Sequence, residues 1–285
     1  MPMEIPVIYE DEQIVVIDKP SGVVVNRAET VRGETLQDWW ESRYGQMRSN
    51  DIIRDQMISN EQLPPSKYRG TSDVLTDEDR RYFAERMGMV HRLDKETSGV
   101  MVFAKTSEAF VEMLRQFRDR EIKKEYLALT HGIWKVKKGE INMPIGRRHD
   151  DRKKMGIQED GRESVTGYQV ISEYPKFAFP KELKVDIKGY QGFSLVKFAP
   201  RTGRTHQIRV HARALAHPLV GDIQYAGRKR SREDRKWCNR LALQAQTLSI
   251  LHPVTKERMN FESQQSLGDW DRYFTVERSR MREAR

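Results

Sequence analysis

An aspartate in a polar turn and a run of arginines and histidines free of acids are the residues of this chain best suited to chemistry. In MVHRLDKETSGVMVFAK, residues 89–105, Asp94 lies in the turn HRLDKETSG with an apolar run at 100–104 behind it. A carboxylate presented at a sheet edge can act as nucleophile or can stabilise developing positive charge. A turn aspartate is as often a cap as a catalyst, and His91 and Arg92 beside it either bind phosphate or solvate the turn. In PRTGRTHQIRVHARALAHPLVGDIQY, residues 200–225, Arg204 and Arg209 are five apart, as are His206 and His211. Five helical residues turn through about 140°, so neither pair shares a face, and a two-histidine metal helix is disfavoured. An arginine here can instead hold a carboxylate while another meets phosphate, because the guanidinium donates two parallel hydrogen bonds. Tyr126, in EYLALTHG at 125–132, reads by itself as a core or rim aromatic of a strand.

Other chemistries find no support. RTGRTH lacks the Lys-Ser/Thr ending of a phosphate loop, and no GxGxxG follows an early strand, so a nucleotide or nicotinamide cofactor is not expected. The single cysteine, Cys238, excludes an internal disulfide and a cysteine-rich metal site. The opening MPMEIPVIYEDEQ is acidic where a signal peptide is basic, and no apolar run reaches the ~18 residues of a membrane span. The expected location is the cytoplasm, with no membrane partner.

Lys and Arg number 51 against 42 Asp and Glu in 285 residues, a net +9. The excess is concentrated. Residues 197–213 hold five basic residues and no acid, 227–240 hold seven against two, and 147–154 are also strongly basic. Clustered positive charge fits a polyanion, for which phosphate attraction supplies affinity without sequence preference.

These segments need a scaffold. IPVIY and IVVID, within 5–18, read as strands around an acidic turn. Thr35 with Asp38 and Thr76 with Asp79 have capping-box spacing, and Gly88 suits a helix end. Phe110, Leu114 and Phe117 recur at helical spacing, whereas 125–132, 165–174, 183–187, 193–198 and 247–251 have strand character. THQIRVHARALA reads as a helix. Many strands with few helices and no regular βαβ period predict an α+β fold. Residues 45–85 and 227–237 read as insertions in one domain spanning 1–276, followed by a basic tail at 277–285.

HRLDKETSG at 91–99, EYLAL at 125–129, TGRTHQIRVH at 202–211 and HPLVGDIQY at 217–225 together resemble the RluA-type pseudouridine synthases. IYEDEQIVVIDKPSGVVV at 8–25 and NRLALQAQTLSILHP at 239–253 match less closely. The resemblance implies a central mixed, mostly antiparallel sheet with a catalytic cleft, and conversion of uridine to pseudouridine in structured RNA. It places the catalytic aspartate at Asp94, the active-site tyrosine at Tyr126 and the arginine that pairs with the aspartate at Arg209. Arg92 is matched to base displacement, with His91, Arg204 and His206 as further RNA contacts and Leu243 at the pocket floor. Gln244 stands where the family commonly has histidine.

The reaction implied breaks N1–C1′, turns the uracil and joins C5 to C1′, so it needs neither metal nor redox cofactor. No N-terminal S4-like domain is expected, because the first strand begins near Met1. Ribosomal RNA is the favoured substrate, with transfer RNA as the alternative, and the chain is expected to be a monomer. A non-catalytic RNA-binding or ribosome-assembly protein and a metal-dependent nuclease using His91, Asp94, His206 and His211 are the competing classes.

Overall fold

A computed structural model describes residues 3–29, 31–52 and 75–275. The chain has an α+β fold, a central mixed and mostly antiparallel sheet flanked by helices. In chain order the strands and helices are β1 (Val7–Glu10), β2 (Ile14–Lys19), α1 (Leu36–Ile52), α2 (Asp77–Arg86), β3 (Ser98–Ala104) and α3 (Ser107–Arg118). There follow β4 (Lys123–His131), β5 (Lys138–Asn142), β6 (Ile145–Arg147), β7 (Met155–Ile157), β8 (Val165–Tyr174) and β9 (Lys176–Phe177). Last come β10 (Phe193–Pro200), α4 (Gln207–Ala214), α5 (Arg228–Asp234), β11 (Leu243–Leu251), β12 (Arg258–Glu262) and β13 (Phe274–Thr275). Contacts divide these into two compact units, 1–123 with 247–264 and 124–246 with 265–285, so β11 contributes to both.

In the first unit β2 pairs antiparallel with β1 and β3, and β12 pairs with the C-terminal half of β11. Every residue of β2 and β3 is buried. Their side chains join Phe110 and Met113 of α3, both wholly buried, with Leu114 and Phe117 packed against the cluster. Both capping boxes form. The Thr35 backbone N–H donates to Asp38 while Asp38 N–H donates to the Thr35 hydroxyl, and Thr76 and Asp79 repeat the exchange ahead of α2. These reciprocal bonds satisfy amides that a helix start would leave open. Met87, in the left-handed region at φ 51°, closes α2 one residue before the glycine expected there. Within the expected 45–85 insertion, α1 runs on to Ile52 and α2 begins at Asp77, while 53–74 lie outside the described residues, as does the 277–285 tail.

The second unit is built on β4, β10, β8 and β5, each antiparallel to the next. One cluster on this sheet gathers Trp134, Phe198, Ile208, Leu219, Leu241 and Leu243. Another collects the aromatic rings of Phe193, Trp237, Trp270 and Phe274. The expected strand at 183–187 does not form. Two single-turn 3-10 segments, Lys181–Leu183 and Ile187–Gly189, occupy that stretch, and Lys184 between them has φ 46°. Leu183 and Val185 pack on the aromatic cluster, so burial in a curled loop explains the apolar alternation there. The expected strand at 247–251 is the second half of a longer one that starts at Leu243.

Candidate active site

Asp94 opens a turn closed by the Thr97 amide donating to its carbonyl, 3.1 Å. The last residue of β2 and two residues of the loop after it hold this turn. Gly22 N–H donates to the Lys95 carbonyl at 2.9 Å, the Ser21 hydroxyl to the Glu96 carbonyl at 2.6 Å, and the Lys19 ammonium to the Lys95 carbonyl at 3.1 Å. Lys19 is wholly buried, and its Nζ also donates to the carbonyls of Pro20 and Val23, each at 3.0 Å. A buried cation without carbonyl partners would be expensive, so the amine fixes the loop against the turn. Lys19 thereby positions Asp94's neighbours. The sequence reading missed it, although KPSG at 19–22 carries the signal of a tight, constrained loop. Asp94 itself is partly exposed and Arg92 is exposed. His91 turns inward instead: its Nε2 accepts the Val102 N–H at 3.1 Å and its ring lies 4.9 Å from that of Phe117.

In the second unit the TGRTHQIRVH segment becomes the start of α4, and Gln207 explains how. Its amide nitrogen donates to the Val165 carbonyl and the Thr166 hydroxyl, while its oxygen accepts from the Thr202 hydroxyl and the Arg204 N–H. All four hydrogen-bonding positions of a buried amide are filled, which locks the helix start to β8. One turn later His211, also wholly buried, donates from Nε2 to the Met143 carbonyl and accepts the Thr166 hydroxyl at Nδ1. His206 precedes the helix with φ 57° and places Nδ1 2.8 Å from the Tyr225 hydroxyl. Arg204 donates from Nε to the Glu163 carbonyl.

Between these anchors Arg209 is held with 4% of its surface exposed. Its Nε and Nη2 meet the two oxygens of Asp222 at 2.8 and 2.9 Å, Nη2 also reaches Gln224, and Cζ stands 5.0 Å from the Tyr225 ring centroid. Asp222 also accepts the amides of Gln224 and Tyr225, so the loop closes around the guanidinium. Gly221 makes that possible. At φ 72° its missing Cβ would stand 2.2 Å from the Arg240 carbonyl oxygen. Asp222 was not anticipated from sequence, since only the loop's closure brings it to Arg209.

Tyr126 lies on β4 opposite Phe198 and packs on the same cluster as Leu243 and Ile208, the residue before Arg209. The second unit therefore brings Tyr126, Leu243 and the Arg209 helix to one apolar cluster, while His91, Arg92 and Asp94 belong to the first unit. Gln244 is buried and donates to the Gln246 side chain and the Gln265 carbonyl, a structural tie in the place of a ring. Among the described residues no three His, Cys, Asp or Glu side chains are grouped to hold a metal. Burial pushes the Cys238 thiol up to about 11, which disfavours the reactive thiolate.

The family model described as RNA pseudouridylate synthase matches residues 13–214, a span that contains the Asp94 turn, Tyr126 and the Arg209 helix. The chain belongs to this family. An uncharacterized RNA pseudouridine synthase of Aquifex aeolicus is 34% identical over 92% of the chain and 70% of its own length. Ribosomal large subunit pseudouridine synthase D of Pseudomonas aeruginosa is 33% identical over 92% of the chain and 68% of its own length. For tRNA pseudouridine synthase C of Haemophilus ducreyi the identity is 30%, over 92% of the chain and 91% of that protein. Among solved structures, human RNA pseudouridylate synthase domain containing 1 superposes with a TM-score of 0.61 at 25% identity, covering 92% of this chain and 84% of that one. The pseudouridine synthase domain is thus an enzyme domain for structured RNA.

Proposed function

We propose that this pseudouridine synthase acts on ribosomal RNA, with Asp94 as the catalytic carboxylate. The observation that carries the assignment of Asp94 is the pinning of its turn by Lys19, Ser21 and Gly22, which presents the carboxylate on a fixed backbone. The carboxylate attacks the nucleoside or stabilises an oxocarbenium-like sugar while N1–C1′ breaks. The family resemblance assigns Arg209 to that carboxylate, and Asp222 orients its guanidinium within the second unit. Tyr126 packs against the freed uracil as C5 joins C1′ and the C5 proton leaves. Arg92 fills the space of the extruded nucleotide, whose unstacking costs a few kcal/mol in a duplex and less in a loop. His91, Arg204 and His206 are each tied into their own unit. Their partners, a backbone amide, a backbone carbonyl and a tyrosine hydroxyl, make them supports for the RNA-facing loops.

Ribosomal RNA is favoured by four relatives that share the name ribosomal large subunit pseudouridine synthase D. Transfer RNA is the second reading, because tRNA pseudouridine synthase C matches over 91% of its own length. Tritium release from 5-tritiated uridine in large-subunit rRNA and in tRNA transcripts tests both. The wild type is expected to release tritium from the rRNA, and Asp94→Asn to bind that RNA without release. Turnover by Asp94→Asn overturns the catalytic assignment, and release from tRNA alone overturns the ribosomal one.

A further inference from the structure

Two open cavities of the second unit adjoin, sharing Gly189 and Arg230. The first, of about 500 Å³, is walled by the half-buried rings of Tyr168 and His217 with Leu215, and Trp134, 2% exposed, backs them. Its rings are preassembled. His217 stacks on Trp134 at 4.4 Å with planes 14° apart, Tyr168 lies 4.7 Å from Trp134, and His217 Nδ1 donates to the His131 carbonyl. The second cavity, of about 450 Å³, is lined by Arg213 and the first turns of α5. Both volumes fall in the range of about 300–1,000 Å³ typical of ligand sites.

The charge of this groove is one-sided once internal pairs are counted. Asp186 is met by Lys229 at 2.9 Å, and Glu233 by Lys236 and Arg232. Lys135, Arg213 and Arg228 have no carboxylate partner among the described residues, and Arg230 reaches only the Gly189 carbonyl at 3.4 Å. None of the residues assigned to the reaction in this unit, Tyr126, Arg209 and Leu243, lines the groove. His131, on its wall, is five residues along β4 from Tyr126, about 17 Å at strand rise. Arg213 lies a turn beyond Arg209 on α4, and its side chain is exposed where that of Arg209 is buried.

We infer that this groove is a second RNA-binding surface, taking an unpaired nucleotide of the substrate in the ring-walled recess and its flanking phosphates on Lys135, Arg213, Arg228 and Arg230. The inference rests on RNA being the substrate, and it adds a subsite that would hold the RNA away from the target uridine. An aromatic recess beside free cations is what single strands require, because bases stack without sequence preference and phosphates follow the charge.

The probe is a fluorescent 12-nucleotide oligoadenylate, which holds no uridine and cannot be turned over, bound to the full chain and followed by anisotropy across a salt series. Lys135→Gln/Arg213→Gln/Arg228→Gln is expected to bind at least about tenfold more weakly, with a salt slope shallower by about 2, from roughly 0.7 for each lost single-strand phosphate contact. The charge-preserving Lys135→Arg/Arg213→Lys/Arg228→Lys keeps the affinity. Unchanged binding by the neutralised variant overturns the inference. So does equal wild-type affinity for a blunt RNA duplex of the same length, or equal competition by polyglutamate. Failure of the wild type to bind any RNA would instead remove the functional reading beneath it.

Discussion

The guanidinium of Arg209 and the carboxylate of Asp222 form a two-point ion pair inside the second unit, Nε to Oδ2 at 2.8 Å and Nη2 to Oδ1 at 2.9 Å. Asp222 is wholly buried and Arg209 nearly so. Removing one partner of such a pair strands a charge in the interior, at a cost of about 3–5 kcal/mol. Asp222→Ala is therefore expected to lower the unfolding free energy by that amount in urea titration and to depress turnover even where the protein remains folded. Asp222→Asn keeps the shape and one acceptor, and should fall between. An Asp222→Ala protein as stable and as active as the wild type would show that Arg209 does not depend on this carboxylate.

The pair also marks where sequence stops being legible. The acid-free run at 197–213, the helix within it and the turn at Asp94 could be read, because each depends on neighbours within a few residues. Capping boxes at Thr35 and Thr76 were legible for the same reason. Asp222 is thirteen residues from Arg209, and only the loop folding back at Gly221 joins them. The stretch 183–187 misled because alternating Leu, Val and Ile read the same in a strand and in a loop where Leu183 and Val185 pack on an aromatic cluster and Ile187 stays exposed. Tertiary packing on Phe179, Tyr190 and Trp237 decided that case. THQIRVHARALA put both His206 and His211 inside one helix, yet one precedes the helix and the other is sealed beneath it.

Lys19 offers a separate test of how the Asp94 turn is held. Its ammonium spans the carbonyls of Pro20, Val23 and Lys95. Hydrogen bonds to a charged group contribute about 1.5–3 kcal/mol each, and the stranded carbonyls add desolvation. Lys19→Met is expected to lose at least about 2 kcal/mol of stability. It should also reduce kcat more than it raises KM, since the displaced turn carries the reacting carboxylate and not the RNA surface. A loss confined to stability, with kcat intact at a temperature where the variant is folded, would make Lys19 a core residue without influence on the site.

His211 makes stability depend on pH in a calculable direction. Burial pushes its imidazole below the ordinary value of 6.5, against a smaller opposing pull from the Met143 carbonyl. Since Nε2 donates to that carbonyl, Nδ1 must accept from the Thr166 hydroxyl, and a second proton would eject that bond. In the unfolded chain the ring takes up its proton as pH falls through about 6.5, whereas in the folded chain it resists to a lower pH. The unfolded state therefore binds more protons across that window. Stability from this group is full above pH 6.5 and declines as pH falls, at up to about 1.4 kcal/mol per pH unit, levelling off below the folded pKa. His211→Gln has no such titration, so its stability deficit relative to the wild type should shrink between pH 7.5 and 5.5 in urea titrations. A deficit that stays constant over that range would mean that the ring titrates alike in the folded and unfolded chains, and one that grows as pH falls would mean that the folded protein holds the imidazolium.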